Sequence, residues 1–376
     1  MINFAKTREE LLPLLVLAEK YRKTYRFFLF ANSLFLLGVL LLGISIPLVF
    51  YLLSSLLPTW TLIINNNKLP YLSPQLIMLL FWGLFFVFMT VSNKAKAKYV
   101  KIEKEILKTF LAKTAPSFKY YESKQINGKD IAESELISPL GLRFNKNKGT
   151  NSIYNLTHGL LSGKVGHTKI TMGAVKTLSS NPYSYFLYIP LFNYLYLTFT
   201  YIRPWLFKRY TFEQVGSTFL GMVAVMEFNK NFKGKTIILP DSMEKRIGYL
   251  AKTFQSLNLN NNQLVNLEDT EFENEFVVYS SDQIEARYIL SPLLMQRITH
   301  LKKKINKPIM LSFKNNKLYV AVHHAYGFLR LEESKNLIGS NALELLYEDV
   351  LMAIDIVEDL NLNSKIWKRE SIAKPV

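Results

Sequence analysis

Residues 309–322 read IMLSFKNNKLYVAV, and this pattern decides the fold of the larger part of the chain. A two-residue turn at Asn315 and Asn316 sets Phe313 against Leu318, Leu311 against Val320 and Ile309 against Val322, so one side of the ribbon is apolar throughout. Asparagine tolerates the positive φ that a type I′ turn requires at both central positions. The spacing therefore predicts an antiparallel hairpin running from Ile309 to His324. Strands are also predicted at His167 to Lys176, Ser217 to Asn229, Lys235 to Leu239 and Glu275 to Ser280.

Helices are predicted between and after the strands. Asp282 with Glu285 has the spacing of a capping box, and Ser291-Pro292 places serine at a cap and proline at the first helical position. Leu294, Ile298, Leu301 and Ile305 follow as an apolar stripe. Lys302, Lys303 and Lys304 fall in its last turn, where cations favour the helix dipole. A last amphipathic helix is expected from Asn341 to Leu360, with Glu344, Glu348, Asp355 and Asp359 on a solvated face. Glu268, Asp269, Glu271, Glu273 and Glu275 lack the glycine and ligand spacing of a calcium loop and read as an exposed acidic turn. Glycine and asparagine thicken through 127–166, which predicts loops or short strands. The fold class is thus α+β, with a mainly antiparallel sheet and flanking helices.

The N-terminal part follows a different rule. FFLFANSLFLLGVLLLGISIPLVFYLLSSLL at 27–57 runs 31 residues without a charge, and a second apolar run spans 72–91. A hydrocarbon core about 30 Å thick needs roughly 20 such residues per helix, so both runs are long enough to cross. Arg22, Lys23 and Arg26 precede the first run, Lys94, Lys96, Lys98, Lys101 and Lys104 follow the second, and the link carries only Lys68. That bias predicts a transmembrane hairpin with both termini in the cytoplasm. The expected organisation is a cytoplasmic helix at 1–26, the hairpin at 27–93, a basic juxtamembrane helix at 94–116 and a cytoplasmic α+β domain at 117–376. Thr7 with Glu10 predicts the cap of a helix over 4–22. Tyr99, Ile102, Ile106 and Phe110 predict that the second membrane helix continues inward until Ala115-Pro116 stops it.

The net charge is +17, and residues 94–176 hold 16 Lys or Arg against 6 Asp or Glu. Anionic headgroups attract juxtamembrane lysines, so Lys94, Lys96, Lys98 and Lys101 are expected lipid contacts. Nucleic-acid binding is not expected, because no recognition module accompanies the charge. The stretch PYSYFLYIPLFNYLYLTFTYIRPWLFKRY at 182–210 has no charge before Arg203. Its Tyr183, Tyr185, Phe186, Tyr188, Tyr194, Tyr196, Tyr201 and Trp205, with Arg203, Lys208 and Arg209, suit the headgroup level. A loop dipping into the inner leaflet is the first reading. A buried insertion or partner surface and a third span remain as alternatives.

Chemistry is sparse. There is no cysteine, so disulfides, thiolate metal sites and cysteine nucleophiles are excluded. The chain has no HExxH, no glycine-rich phosphate loop and no GxSxG elbow. His323 and His324 are strand neighbours that point to opposite faces and cannot ordinarily share a metal. No catalytic residue, cofactor or metal is therefore expected.

FNKNFKGKT (228–236), LEDTEFENEFVVYSSDQIEARYILSPLLMQRI (267–298) and IMLSFKNNKLYVAV (309–322) resemble, in order and spacing, the signature blocks of an uncharacterised bacterial membrane-protein family known as a domain of unknown function. The resemblance implies an inner-membrane protein with a hairpin and a cytoplasmic α+β domain, and it supplies no catalytic residues. The expected role is a membrane-anchored binding or scaffold module whose partners are anionic lipids and a protein or a second copy. The alternatives are a membrane-surface enzyme gathering His323 or His324 with Asp282, Glu285 or Arg287, and a subunit of a membrane complex with a third inserted segment.

Overall fold

In the computed structural model, residues 4–56, 74–137, 155–178, 217–228, 232–241, 263–324, 327–331, 336–339 and 341–360 are described. The aromatic stretch 182–210, with every interface residue assigned to it, lies outside them.

Among the described residues nine strands form one sheet: β1 (Phe118–Tyr121), β2 (Asn155–Val165), β3 (Thr168–Leu178), β4 (Ser217–Glu227), β5 (Lys235–Pro240), β6 (Gln263–Leu264), β7 (Phe276–Ser280), β8 (Ile309–Lys314) and β9 (Lys317–His323). Their order is β1-β2-β3-β4-β9-β8-β5-β7-β6, and every pairing is antiparallel. The β8–β9 register pairs Phe313 with Leu318, Leu311 with Val320 and Ile309 with Val322, as the alternation predicts. Asn315 and Asn316 have φ of 53° and 57°, the two positive values a type I′ turn demands.

The helices are α1 (Phe4–Leu56), α2 (Pro74–Thr114), α3 (Gly128–Ser134), α4 (Thr270–Glu275), α5 (Gln283–Ile289), α6 (Pro292–Ile305) and α7 (Ala342–Asp359). The backbone divides into two units. One comprises residues 1–11, 104–182 and 213–376, and the other residues 12–103 and 183–212.

In the first unit both faces of the central strands are buried, whereas the alternation in the hairpin marks only one apolar side. Met310, Tyr319 and Ala321 join Val223, Ile237 and Leu239 in a core with Ile126, Ile131, Leu136 and Ile137, residues of α3 and its flanks. The opposite parity, Leu311, Phe313, Leu318, Val320 and Val322, is fully buried. Phe276 shares that side through the β7–β5–β8 register and meets Phe272 of α4 at 5.1 Å. Tyr319→Ala is therefore expected to lower stability by about 2–5 kcal/mol, as truncating a buried aromatic does. An unchanged urea midpoint would show that α3 does not seal this face.

Sequence spacing places several starts and stops correctly. Ser291 takes the N-cap position of α6 without a side-chain cap bond, Pro292 is at its first position, and α2 ends at Thr114 before Ala115-Pro116. Others need correction. The helix containing Thr7 begins by Phe4 and continues to Leu56, so Thr7 is interior and no break separates 4–22 from the apolar run. The acidic turn is the helix α4, whose Asp269 accepts from the Phe272 N–H. Glu271 and Glu275 ion-pair with Lys303 and Lys302. Asp355 and Asp359 take Lys304, so the α7 acids are not simply a solvated face.

In the second unit α1 and α2 run antiparallel. Ser92 Oγ donates to the Tyr25 carbonyl at 3.2 Å, Tyr25 and Tyr99 rings lie 5.8 Å apart, and Phe28 and Phe35 both reach Phe88. Arg22, one of the basic residues flanking the first apolar run, is buried in a two-bond pair with Glu19. Among the residues described with their side chains, no helix is long and apolar enough to cross a membrane. Most side chains of 36–56 fall outside that set. The two long helices are present, but the membrane hairpin is not carried by the described residues.

Candidate functional site

The turn Phe232–Lys235 leads into β5, and its four successive backbone N–H groups all donate to side-chain oxygens from elsewhere in the chain. Phe232 N–H reaches Asn316 Oδ1 at 3.4 Å. Lys233 and Gly234 donate to the two oxygens of one carboxylate, Glu285 Oε1 at 2.6 Å and Oε2 at 2.5 Å. Lys235 N–H reaches Ser281 Oγ at 3.0 Å. Successive backbone N–H groups can cradle an anion, and here the Glu285 carboxylate takes two of the four; such charge-assisted bonds are shorter and stronger than neutral ones.

Local sequence explains the arrangement. Asp282 caps α5 by accepting from the Ile284 and Glu285 N–H groups, which fixes the helix start. Glu285 does not close the reciprocal half of the predicted capping box. Its carboxylate turns across to the β5 turn instead. Position 234 must be glycine for this approach, because a Cβ there would run into the Glu285 carboxylate and Ser281 Oγ. Thr236 and Ser280 hydroxyls meet at 3.1 Å beside the turn.

An ion network adjoins the turn. Glu135, held left-handed at φ 54°, accepts from Lys235 Nζ and Lys314 Nζ, each at 2.6 Å. Lys317 Nζ reaches Asp130 at 3.0 Å, and Tyr319 donates to Glu133 at 2.9 Å. Burial and the facing Glu133 push the Tyr319 hydroxyl far above its ordinary range, so it stays a donor. Burial alone would raise the Glu135 carboxyl, yet the bonds from Lys235 and Lys314 outweigh it and hold the group below its ordinary 4.5. A lowered carboxyl stabilises the fold above its unfolded value and loses that contribution as pH falls through the folded value. Glu135→Gln is thus expected to cost about 1–3 kcal/mol at pH 7.5. The gap from the parent protein in urea midpoint should shrink as pH drops below 4.5; a gap independent of pH would mean that the carboxylate charge is not what docks α3.

The structure separates the residues proposed for an enzyme. Asp282 and Glu285 lie by the β8–β9 turn, since Ser281 bonds Lys235 and Lys235 pairs with Lys314, whereas Arg287 donates to the Asn266 carbonyl at 3.3 Å. His323 is at the other end of β9, about 20 Å of strand away. It stacks edge-on to Phe219 at 6.2 Å, and burial, then the neighbouring His324, lowers its pKa. His324 faces the buried Asp349 of α7 instead, Nε2 to Oδ1 2.9 Å but not aligned as a hydrogen bond. The other Asp349 oxygen accepts from the Leu329 N–H at 2.9 Å. Among the described residues no group of three or more potential ligands could hold a metal. Lys94, Lys96, Lys98 and Lys101 are all exposed on α2, with Lys98 Nζ 5.3 Å above the Tyr21 ring.

Spacing along the chain could not reveal this arrangement, because Glu285 and the turn it bonds lie about 50 residues apart. The signal was the resemblance itself: FNKNFKGKT supplies the turn, LEDTEFENEFVVYSSDQIEARYILSPLLMQRI supplies Ser281 and Glu285, and IMLSFKNNKLYVAV supplies Asn316. Residues 217–362 match a family described as "Protein of unknown function (DUF3137)". The matched segment takes in all three blocks, and the match does not confirm membrane character. No curated protein matches the chain. A solved structure, the mycobacterial trehalose monomycolate transport factor A, TtfA, is similar at 9% identity over 70% of this chain and 96% of that one, with a TM-score of 0.34. That likeness is too slight to carry a fold or a role across.

Proposed function

We propose that the chain is a membrane-anchored binding or scaffold protein of the bacterial inner membrane, with both termini cytoplasmic, presenting its α+β domain to a protein partner. The observation that supports this best is the antiparallel pairing of α1 and α2 together with the large apolar side chains left on their outside. Phe27, Leu34, Leu41, Leu80, Leu84 and Phe86 are each at least half exposed, a surface that water disfavours and lipid accepts. The uncharged run 27–57 and the lysine-rich outer flanks point the same way. The exposed Lys94, Lys96, Lys98 and Lys101 would then meet anionic headgroups.

Binding rather than catalysis is favoured because the polar groups described near the Phe232–Lys235 turn are bonded mainly to one another. The α+β domain does leave Ile284 and Tyr288, successive turns of α5, 82% and 52% exposed. A photoreactive amino acid at either position in living cells is expected to give the same discrete adduct, and none should arise from one at buried Ile298. No adduct from either exposed position would count against a docking role for this face.

A further inference from the structure

We propose that the Phe232–Lys235 turn is a receptor for a phosphate-bearing ligand, and that Glu285 occupies it as an internal stand-in which such a ligand displaces. The Glu285 carboxylate answers only two of the four consecutive donors, Lys233 and Gly234. The flanking N–H groups settle for neutral oxygens, one at 3.0 Å on Ser281 and one at the long 3.4 Å on Asn316. A phosphate monoester carries three acceptor oxygens in a tetrahedral array where a carboxylate has two in a plane, so it can take a further N–H of the row.

Charge supports the exchange. Lys233 is exposed beside the turn, and Lys235 and Lys314 stand behind it, sharing Glu135. Asp282 is the other nearby acid, and its carboxylate is committed to the start of α5. Lys317 is likewise committed to Asp130 and Glu133, so removing the Glu285 carboxylate leaves Lys233 as the cation at the turn with no acid bonded to it among the described residues. The site is reachable, since Lys233 and Ser281 are exposed and Gly234 is only partly covered. Glu285 sits in the first turn of α5, the helix that carries exposed Ile284 and Tyr288. Displacing it frees that helix, so occupancy of the receptor would be reported at the docking face.

The test uses the full chain in neutral detergent at fixed ionic strength, titrated calorimetrically with inorganic phosphate. Glu285→Gln removes the competing charge and is expected to bind phosphate at least tenfold more tightly than the parent protein. Gly234→Ala added to it should abolish binding, and Lys233→Ala should weaken it several-fold. Equal, weak binding by the parent and Glu285→Gln would overturn the proposal. Hydrogen exchange on the parent protein keeps the test independent of how well that variant folds: phosphate should speed exchange across 283–289 while 232–235 stays protected. Repeating the exchange in mixed micelles with phosphatidate and no free phosphate separates the sources. A response to inorganic phosphate assigns a soluble ligand, a response to phosphatidate alone assigns a lipid headgroup, and no response to either overturns the receptor.

Discussion

Replacing Phe313 with alanine is expected to destabilise the protein by about 3–5 kcal/mol, the range for deleting a buried aromatic side chain. Phe313 is fully buried, faces Leu318 across the hairpin and packs its ring 4.9 Å from Phe228. The cavity would open at the centre of the strand order, where neither β8 nor β9 can move without disturbing β5 or β4. A loss in urea midpoint at unchanged slope is the expected result. A loss below about 1 kcal/mol would mean that the site collapses freely, which close packing argues against.

Gly221→Ala is the second substitution with a large expected effect, about 3 kcal/mol, at the upper end for overpacking. Gly221 on β4 lies opposite His323, and a Cβ there would run into the Val322 carbonyl oxygen and crowd the Phe219 ring. The obstacle is backbone, which no rotamer change relieves. The β4–β9 ladder joins β1–β4 to the remaining strands, so the lesion should loosen the sheet as a whole. Protease sensitivity confined to the termini of the variant would contradict this.

How much of this was legible in sequence depended on the range of the interaction. The hairpin at 309–322 could be read because alternation and the asparagine turn are local. The start of α6 could be read for the same reason, from Ser291-Pro292. β2 escaped because Gly159, at φ 126°, sits in a register irregularity between Leu156 and Leu160 that breaks the alternation. α3 is only two turns long and its apolar residues are few, so tertiary burial rather than periodicity makes it a helix. Glu285 was read as half of a capping box because its spacing from Asp282 fits one. Its real partners, Lys233 and Gly234, are distant in sequence, and no local pattern encodes them. The alternation marks one apolar side of the hairpin, and the second buried face, with Tyr319 on it, is invisible until α3 is placed.

The central claim is that α1 and α2 form a membrane hairpin holding the α+β domain in the cytoplasm. Topology reporters fused at Asn66, in the link between the apolar runs, and after Val376 test it most directly. The account predicts opposite signals, with Asn66 outside the cytoplasm and the C-terminus inside. Matching signals at the two positions, or a chain released from membranes by carbonate, would contradict it.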